Sequence, residues 1–276
     1  VFPDITYGFY KVFAELTGAE KKTVPLRENF RLDTSDYMNE KGCLIIANPN
    51  AQTGRFVPVC EIEKLVAADR NRLVIVDEAY IDFGGQSCVP LVKKYDNLLV
   101  TQTFSKSRSM AGARLGFAFA CSEITADMNT VRYSINPYNV GTVAQAAGIA
   151  AIERNDIYMK NCSTVIENRS FTEESLKKLG FETMNASFER LGLKGTKAGR
   201  LMMDYEGLEH GRDNFISAGD MNRLSEILCR DEILDHTFNQ KMLGILLRQR
   251  HNDAVNKHYP MDIPYAHKGG CIRQYG

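Results

Sequence analysis

Three short apolar runs, separated by segments long enough to be helices, most strongly restrict what this chain can fold into. Each run is almost continuously apolar until it meets polar residues, a pattern typical of strands buried on both faces of a sheet. The runs are residues 43–50 (CLIIANPN), 73–83 (LVIVDEAYIDF) and 97–104 (NLLVTQTF). They predict three strands of one sheet.

The segment between the first two runs predicts a helix. From Pro58 to Arg70, charged residues separate apolar residues that recur at helical spacing, namely Val59, Ile62, Leu65 and Val66. Strands that alternate with helices are joined by crossover connections, which favour parallel pairing. The fold class that follows is α/β, with a doubly wound and mostly parallel sheet.

The composition is that of a globular protein, and its charge balance limits the classes of partner that we expect. Lysine plus arginine and aspartate plus glutamate number 34 each, so the formal net charge is zero. Nothing global then attracts nucleic acid or an anionic membrane, and we expect a small-molecule partner. No apolar run approaches the ~20 residues of a membrane span. The first residues do not resemble a signal peptide, and the seven cysteines lack paired spacing. We therefore expect a cytoplasmic protein with reduced thiols.

Chemically useful side chains follow the predicted strands. They are Asn48 and Asn50 after the first, Asp77 at the end of Leu73-Val-Ile-Val76, and Lys106 after the third. In open parallel sheets the ligand crevice lies at the carboxyl ends of the strands. We expect these groups to converge there.

Asp77 needs a positive partner, because an ionised carboxylate that is half-buried at a strand end is costly without one. Two partners remain open. Lys106 alone would make a buried ion pair without chemistry. A protonated pyridine nitrogen would instead indicate pyridoxal phosphate, whose ring acts as an electron sink when an acidic residue keeps that nitrogen charged. Tyr80 could then donate to the phenolic oxygen of the ring.

On the second interpretation, Lys106 forms the Schiff base with the cofactor aldehyde. Thr103, Ser105 and Arg114 are suitable donors for a phosphate dianion, since arginine can bind it in bidentate fashion. We expect Arg108 to face solvent.

These motifs resemble those of the fold-type I pyridoxal-phosphate aminotransferases. The matching stretches are Thr6-Tyr7-Gly8, NPNAQTG (48–54), DEAY (77–80), and Ser105-Lys106 with Arg114. DEAYIDF, TFSKSRSMAGARLGF and RYSINPYNV are more narrowly similar to histidinol-phosphate aminotransferases, which act in histidine biosynthesis. The resemblance covers about residues 4–183. It implies the three-layer large domain of that fold, with a mostly parallel sheet.

The resemblance also implies roles and partners. Lys106 would carry the pyridoxal 5'-phosphate and move the substrate proton, while Asp77 pairs with the ring nitrogen. Tyr80 would contact the phenolic oxygen, Tyr7 would stack on the ring, and Ser105 and Arg114 would hold the phosphate. The substrates would be an amino donor such as histidinol phosphate and a 2-oxo acid, and the family forms homodimers.

Two departures from the family pattern lead to further expectations. Ala51 stands where the family has the asparagine that touches the cofactor, so we expect Asn50 to replace it. The chain also begins inside the large domain by this resemblance. We therefore expect an N-terminally truncated domain over residues 1–183, without the Gly-rich part of the phosphate cup.

Residues 184–276 predict a different, mainly helical and incomplete segment. Ser217-Ala-Gly-Asp220 is a capping-box pattern ahead of apolar residues at helical spacing. From about residue 191 the segment resembles the C-terminal part of class A beta-lactamase-like serine hydrolases, through LGLKGTKAGRLMMDYE, GRDNFISAGDM and IPYAHKGG. Lys268-Gly269-Gly270 has no threonine in place of that family's Lys-Thr-Gly.

The two resemblances leave three hypotheses. The chain is a working aminotransferase, an inactive fusion of two fragments, or a serine hydrolase through its C-terminal region. The last needs a reactive serine, and Ser175-Leu-Lys-Lys178 lies on a predicted helix where exposed serine and lysine are ordinary. All five histidines lie beyond residue 188 without a ligand spacing, so we expect packing or surface roles and no metal.

Overall fold

The computed structural model describes residues 1–200 and 210–247. The chain divides into two compact units, the first from Val1 to Ser175 and the second beginning at Leu176. The expected boundary between residues 183 and 184 stays a prediction. None of the helices in the described ranges is long and apolar enough to span a membrane.

The first unit is built on a four-stranded sheet. Its strands are β3 (Leu44–Ala47), β4 (Val74–Asp77), β5 (Leu98–Thr103) and β6 (Gly116–Phe119), in that spatial order. The pairs β3–β4 and β4–β5 are parallel, and β6 is antiparallel to β5. The three predicted strands are therefore confirmed within the three apolar runs. The fourth strand was not predicted from the sequence.

A smaller pair of strands precedes this sheet. β1 (Phe2–Pro3) and β2 (Thr23–Val24) are parallel, and helix α1 (Phe9–Thr17) connects them. β1 lies beside β3, because the Ile45 amide donates to the Val1 carbonyl at 2.9 Å. The connection places α1 near the carboxyl ends of the strands.

The two faces of the main sheet bury different partners. Leu44 and Ile46 on β3 face the same core as helix α2 (Val59–Ala68), which buries Ile62, Leu65 and Val66. The helix predicted between Pro58 and Arg70 is thus confirmed. Ala47 lies in a second cluster with Phe2 and Tyr10 of α1. Helices on both faces of a mostly parallel sheet confirm the α/β fold class.

Three further helices follow β6. They are α3 (Ser122–Ile135), α4 (Thr142–Glu153) and α5 (Asn155–Arg190). Helix α5 is interrupted at Gly180, which takes φ +71° and ψ 160°. A glycine has no Cβ to oppose a positive φ, which is why the helical path can change there.

The second unit is mainly helical, as predicted. Its described helices after α5 are α6 (Ala218–Cys229) and α7 (His236–Leu247). Ser217 caps α6, since its Oγ accepts from the Asp220 amide at 3.0 Å. The predicted N-cap at Ser217 is therefore confirmed, while the Asp220 carboxylate accepts from the Gly195 amide and the Thr196 hydroxyl, both at 2.7 Å. IPYAHKGG lies outside the described residues.

Candidate active site

Asp77 ends β4 at the carboxyl edge of the sheet, half-buried, with both carboxylate oxygens bonded. Oδ2 accepts from the Tyr10 hydroxyl at 2.6 Å, and Oδ1 accepts from the Ala79 amide at 3.1 Å. Lys106, the cation considered from sequence, forms no ion pair with Asp77. The plain Lys106–Asp77 ion pair is therefore not the arrangement that the folded chain adopts.

Tyr10 is a site residue that sequence reasoning missed. Its side chain is buried against Phe2 and Ala47. Burial, together with the negative charge of Asp77, raises the pKa of the Tyr10 hydroxyl well above its usual range. The hydroxyl therefore keeps its proton and donates it to the carboxylate. The sequence signal that could have identified Tyr10 as a site residue is its position one helical turn after Tyr7, on the apolar side of α1.

Tyr7 lies next to this pair with much of its ring free. Its side chain is 49% exposed, and its ring makes an edge contact with Tyr10 at 5.6 Å between centroids. An exposed aromatic face beside a fixed carboxylate can stack on a planar ligand.

Lys106 and Tyr80 lie close together in the segments that follow β5 and β4. The Lys106 Nζ is 5.2 Å from the centre of the Tyr80 ring, and the lysine side chain is exposed. Tyr80 is half-buried and follows Asp77 by one turn, just before a short 3₁₀ turn, Ile81–Phe83. The amine and the phenol can therefore serve the same ligand.

Residues 104–115, which we call the lysine loop, connect β5 to β6. The loop is closed at its base, because the Phe104 amide donates to the Leu115 carbonyl at 3.1 Å. The Thr103 hydroxyl accepts from the Ser105 amide at 3.1 Å and donates to the Leu115 carbonyl at 3.4 Å. Thr103 and Ser105 thus shape the start of the loop that carries Lys106.

Arg114 lies at the far end of the lysine loop and is exposed. It has φ +52°, and its Nη1 donates to the Ala111 carbonyl at 3.1 Å. The guanidinium carries further N–H donors that could bind a phosphate while this local bond is kept.

Asn50 is buried and bonded on both sides of its amide. Nδ2 donates to the Ile5 carbonyl at 2.8 Å, and Oδ1 accepts from the Gln52 amide at 3.1 Å. The side chain thereby ties residues 48–54 to the segment that leads into Tyr7. The cofactor contact expected of Asn50 stays a prediction.

Glu78, the neighbour of Asp77, was also missed. It is almost fully buried and accepts from Ser87 Oγ at 2.7 Å, the Cys88 amide at 2.5 Å and Gln102 Nε2 at 2.8 Å. Burial and the Glu78 carboxylate raise the pKa of Cys88 to about 12, so the thiol stays protonated. Glu78 joins β4 to β5 directly behind Asp77 and holds the strand end in place.

Arg108 does not face solvent, contrary to the expectation from spacing. Its side chain is 13% exposed and pairs with Asp82 at 2.9 Å. Arg108 lies between two serines, and the sequence around it has no hydrophobic periodicity that would have indicated burial.

The second unit contributes no comparable catalytic group among its described residues. Ser175 is the last residue of the first unit and Lys178 lies in the second, and both are exposed on α5. No cluster of three or more potential metal ligands occurs within the described ranges. His236 pairs with Asp231, and three of the histidines lie outside the described residues, His251, His258 and His267.

The donor set at the strand ends fits pyridoxal phosphate. Asp77 is an anion suited to a protonated ring nitrogen, Lys106 is an exposed amine, and Tyr80 is a phenol next to that amine. Tyr7 offers a free ring face, while Ser105 and Arg114 supply donors in the lysine loop. These groups match the aldehyde, ring and phosphate of the cofactor.

Two family models match the chain. The model for aminotransferase class I and II matches residues 1–188, and the model for the beta-lactamase enzyme family matches residues 175–275. Both resemblances noted in the sequence are confirmed.

Curated relatives are histidinol-phosphate aminotransferases. The chain is 47% identical to one from Rhizobium meliloti over 184 residues, 67% of this chain and 52% of the relative. It is 42% identical to one from Lactococcus lactis over 186 residues, again 67% and 52%. A third, from Clostridium botulinum, is 38% identical over 236 residues, 86% and 64%. The chain thus spans about half the length of the first two.

Solved structures share the fold. The histidinol-phosphate aminotransferase from Clostridium acetobutylicum has a TM-score of 0.60 at 25% identity, over 65% of this chain and 56% of that one. The enzyme from Sinorhizobium meliloti, solved in complex with pyridoxal-5'-phosphate, has a TM-score of 0.55 at 23% identity, over 60% and 46%. With its sheet, its strand-end groups and these matches, the chain belongs to the aminotransferase class I and II family.

Proposed function

We propose that this chain is a pyridoxal-phosphate-dependent aminotransferase of the histidinol-phosphate type. The observation that carries the proposal is the arrangement at the strand ends. The Asp77 carboxylate accepts from the Tyr10 hydroxyl at the end of β4, and the Lys106 amine, after β5, lies 5.2 Å from the Tyr80 ring. The names of the relatives support the substrate class, an amino donor such as histidinol phosphate with a 2-oxo acid as acceptor.

Pyridoxal phosphate, when bound, supplies the electron sink that stabilises negative charge at the substrate alpha carbon. Asp77 keeps the ring nitrogen protonated, and its bonds to Tyr10 and the Ala79 amide orient the carboxylate for that contact. Lys106 Nζ would hold the cofactor and, once the substrate amino group has displaced it, would take the proton from the alpha carbon as general base. This requires an uncharged amine.

The remaining residues orient and bind. Tyr7 packs on the ring face, and Tyr80 donates to the phenolic oxygen. Ser105, Thr103 and Arg114 bind the phosphate, for which arginine is suited by its planar pair of donors. Asn50 contributes from the turn at residues 48–54.

Location and assembly are part of the same proposal. Cys88 and Cys162 are buried free thiols, which fits a reducing, cytoplasmic compartment. A homodimer agrees with the exposed aromatic side chains of α1, Phe9 and Phe13.

The decisive test is covalent trapping. The purified chain is incubated with pyridoxal phosphate and reduced with borohydride, and the label is located by peptide mass spectrometry. We expect one phosphopyridoxyl group per chain on Lys106, and none at that position in Lys106→Ala. Label spread over surface lysines, or absent, would identify the chain as an inactive fusion and refute the proposal.

A further inference from the structure

Two residues that directly follow Lys106 are tied to the segment after Tyr80. The Ser107 hydroxyl donates to Asp82 Oδ2, and Arg108 Nη1 donates to the same oxygen at 2.9 Å. Arg108 Nη1 also lies 3.0 Å from the Ser107 hydroxyl. We call Asp82, Ser107, Arg108 and Asn155 the anchor cluster.

Asn155 completes the cluster from the start of α5. Its Oδ1 accepts from Arg108 Nη2 at 2.6 Å. The cluster therefore joins three parts of the first unit, namely the 3₁₀ turn that carries Asp82, the lysine loop and α5. Bonds between segments that are distant in sequence restrict motion far more than bonds within one loop.

The cluster is sheltered, which makes its bonds worth more than those of a surface pair. Arg108 is 13% exposed and Ser107 is buried. Charge-assisted hydrogen bonds gain strength where water is excluded, and breaking one leaves a buried group uncompensated. The comparison within the chain is the Arg27–Asp36 pair, whose arginine is 55% exposed, while its aspartate is 20% exposed against 28% for Asp82.

The cluster sets the distance between the two groups of the site that it flanks. Tyr80 lies two positions before Asp82, and Lys106 lies one position before Ser107. Fastening Asp82 to Ser107 and Arg108 therefore holds the backbone of Lys106 beside that of Tyr80. In this arrangement the Lys106 Nζ lies 5.2 Å from the centre of the Tyr80 ring.

We propose that Asp82 is a positioning residue of the active site, which acts through Ser107 and Arg108 to aim Lys106 at the cofactor. This inference rests on the proposed function. It adds a requirement that the reacting groups alone do not supply, because an exposed lysine on a loose loop would spend little time in reach of its target.

The test uses the full chain and two readouts. The first is hydrogen exchange of the lysine-loop amides without cofactor. The second is the pyridoxal phosphate concentration that gives half-maximal borohydride-trapped label on Lys106. For Asp82→Asn we expect exchange to quicken, and the half-labelling concentration to rise, by about tenfold or more, the usual cost of losing a hydrogen bond to a charged partner. Asp36→Asn, which removes the exposed pair, should leave both unchanged.

Milder variants cover the case in which Asp82→Asn does not fold. Arg108→Lys keeps the positive charge but has only one nitrogen donor in place of Nη1 and Nη2. Asn155→Ala removes only the hydrogen bond between Arg108 and Asn155. Both should give smaller changes in the same direction.

The outcomes separate the two proposals. Wild-type labelling in Asp82→Asn, with or without faster exchange, would overturn the positioning role. A wild-type chain without label on Lys106 would instead refute the proposed function itself. Loss of label confined to the anchor variants, with the wild type labelled, is the expected result.

Discussion

The two ends of the candidate site are built differently. At the ring-nitrogen end, Asp77 receives a hydrogen bond from Tyr10, 67 positions away in sequence, and Glu78 ties the same strand to β5. At the phosphate end, Arg114 is exposed and bonds only three residues back, to Ala111, in the contacts described for it. Contacts between distant segments hold the groups of the ring-nitrogen end in place, whereas the contact described at the phosphate end joins residues of one loop.

This difference predicts which substitutions should affect activity, stability or both. A group that is held by distant, buried partners carries both function and stability, so changing it should alter both. An exposed group with a local bond can be changed at little cost to the fold. Three predictions test the contrast, beginning with the largest effect.

Replacing Asp77 by asparagine should have the largest effect on activity. The amide cannot stabilise a protonated ring nitrogen, so we expect transamination to fall by about a hundredfold or more, the scale seen when a preorganised charge is removed. Steady-state assay with histidinol phosphate and 2-oxoglutarate measures this. Asp36→Asn serves as the control of equal chemistry at a half-buried carboxylate outside the site. Activity within twofold of wild type in Asp77→Asn would contradict the assigned role.

Replacing Tyr10 by phenylalanine should have an intermediate effect, and on stability as well. The half-buried Asp77 carboxylate loses a donor, so the free energy of unfolding should fall by about 1.5–3 kcal/mol. Denaturant unfolding of the cofactor-free chain measures it.

Tyr37→Phe is a matched control for that substitution. Tyr37 is equally buried, but its hydroxyl has no hydrogen-bond partner within the described structure. Its removal should therefore be close to neutral. Equal losses in the two variants would show that the Tyr10–Asp77 bond contributes nothing specific.

Replacing Arg114 by alanine should have the smallest effect on the fold. We expect the unfolding free energy to stay within about 0.5 kcal/mol of wild type. Affinity for pyridoxal phosphate should fall about tenfold, with affinity for pyridoxal unchanged, because only the phosphate contact is lost. Equilibrium binding of the two compounds separates these effects, and a parallel loss for both would place Arg114 outside the phosphate site.

Local patterns in the sequence were sufficient to predict several of the elements. The apolar runs predicted β3, β4 and β5, helical spacing predicted α2, and Ser217 with Asp220 predicted the start of α6. Each of these signals depends on neighbours within a few residues. β6 escaped prediction because GFAF is mostly exposed and its antiparallel pairing depends on β5.

The site was only partly predictable for the same reason. Asp77, Tyr80 and Lys106 stand at strand ends, and a strand end can be read from where an apolar run stops. Arg108 was expected in solvent, yet it is held by Asp82, 26 positions earlier. Hydrophobic periodicity carries no information about a contact between residues 26 positions apart.

The α/β class, the strand ends that carry the reacting groups and the family motifs could all be read from the sequence alone. Only the tertiary structure decided the partners of those groups, namely Tyr10 for Asp77, Asp82 for the residues after Lys106, and Ile5 for Asn50. Periodicity and propensity are local properties of the chain. The hydrogen bonds of buried polar groups depend on which distant segments pack together, and that is settled only when the whole core forms.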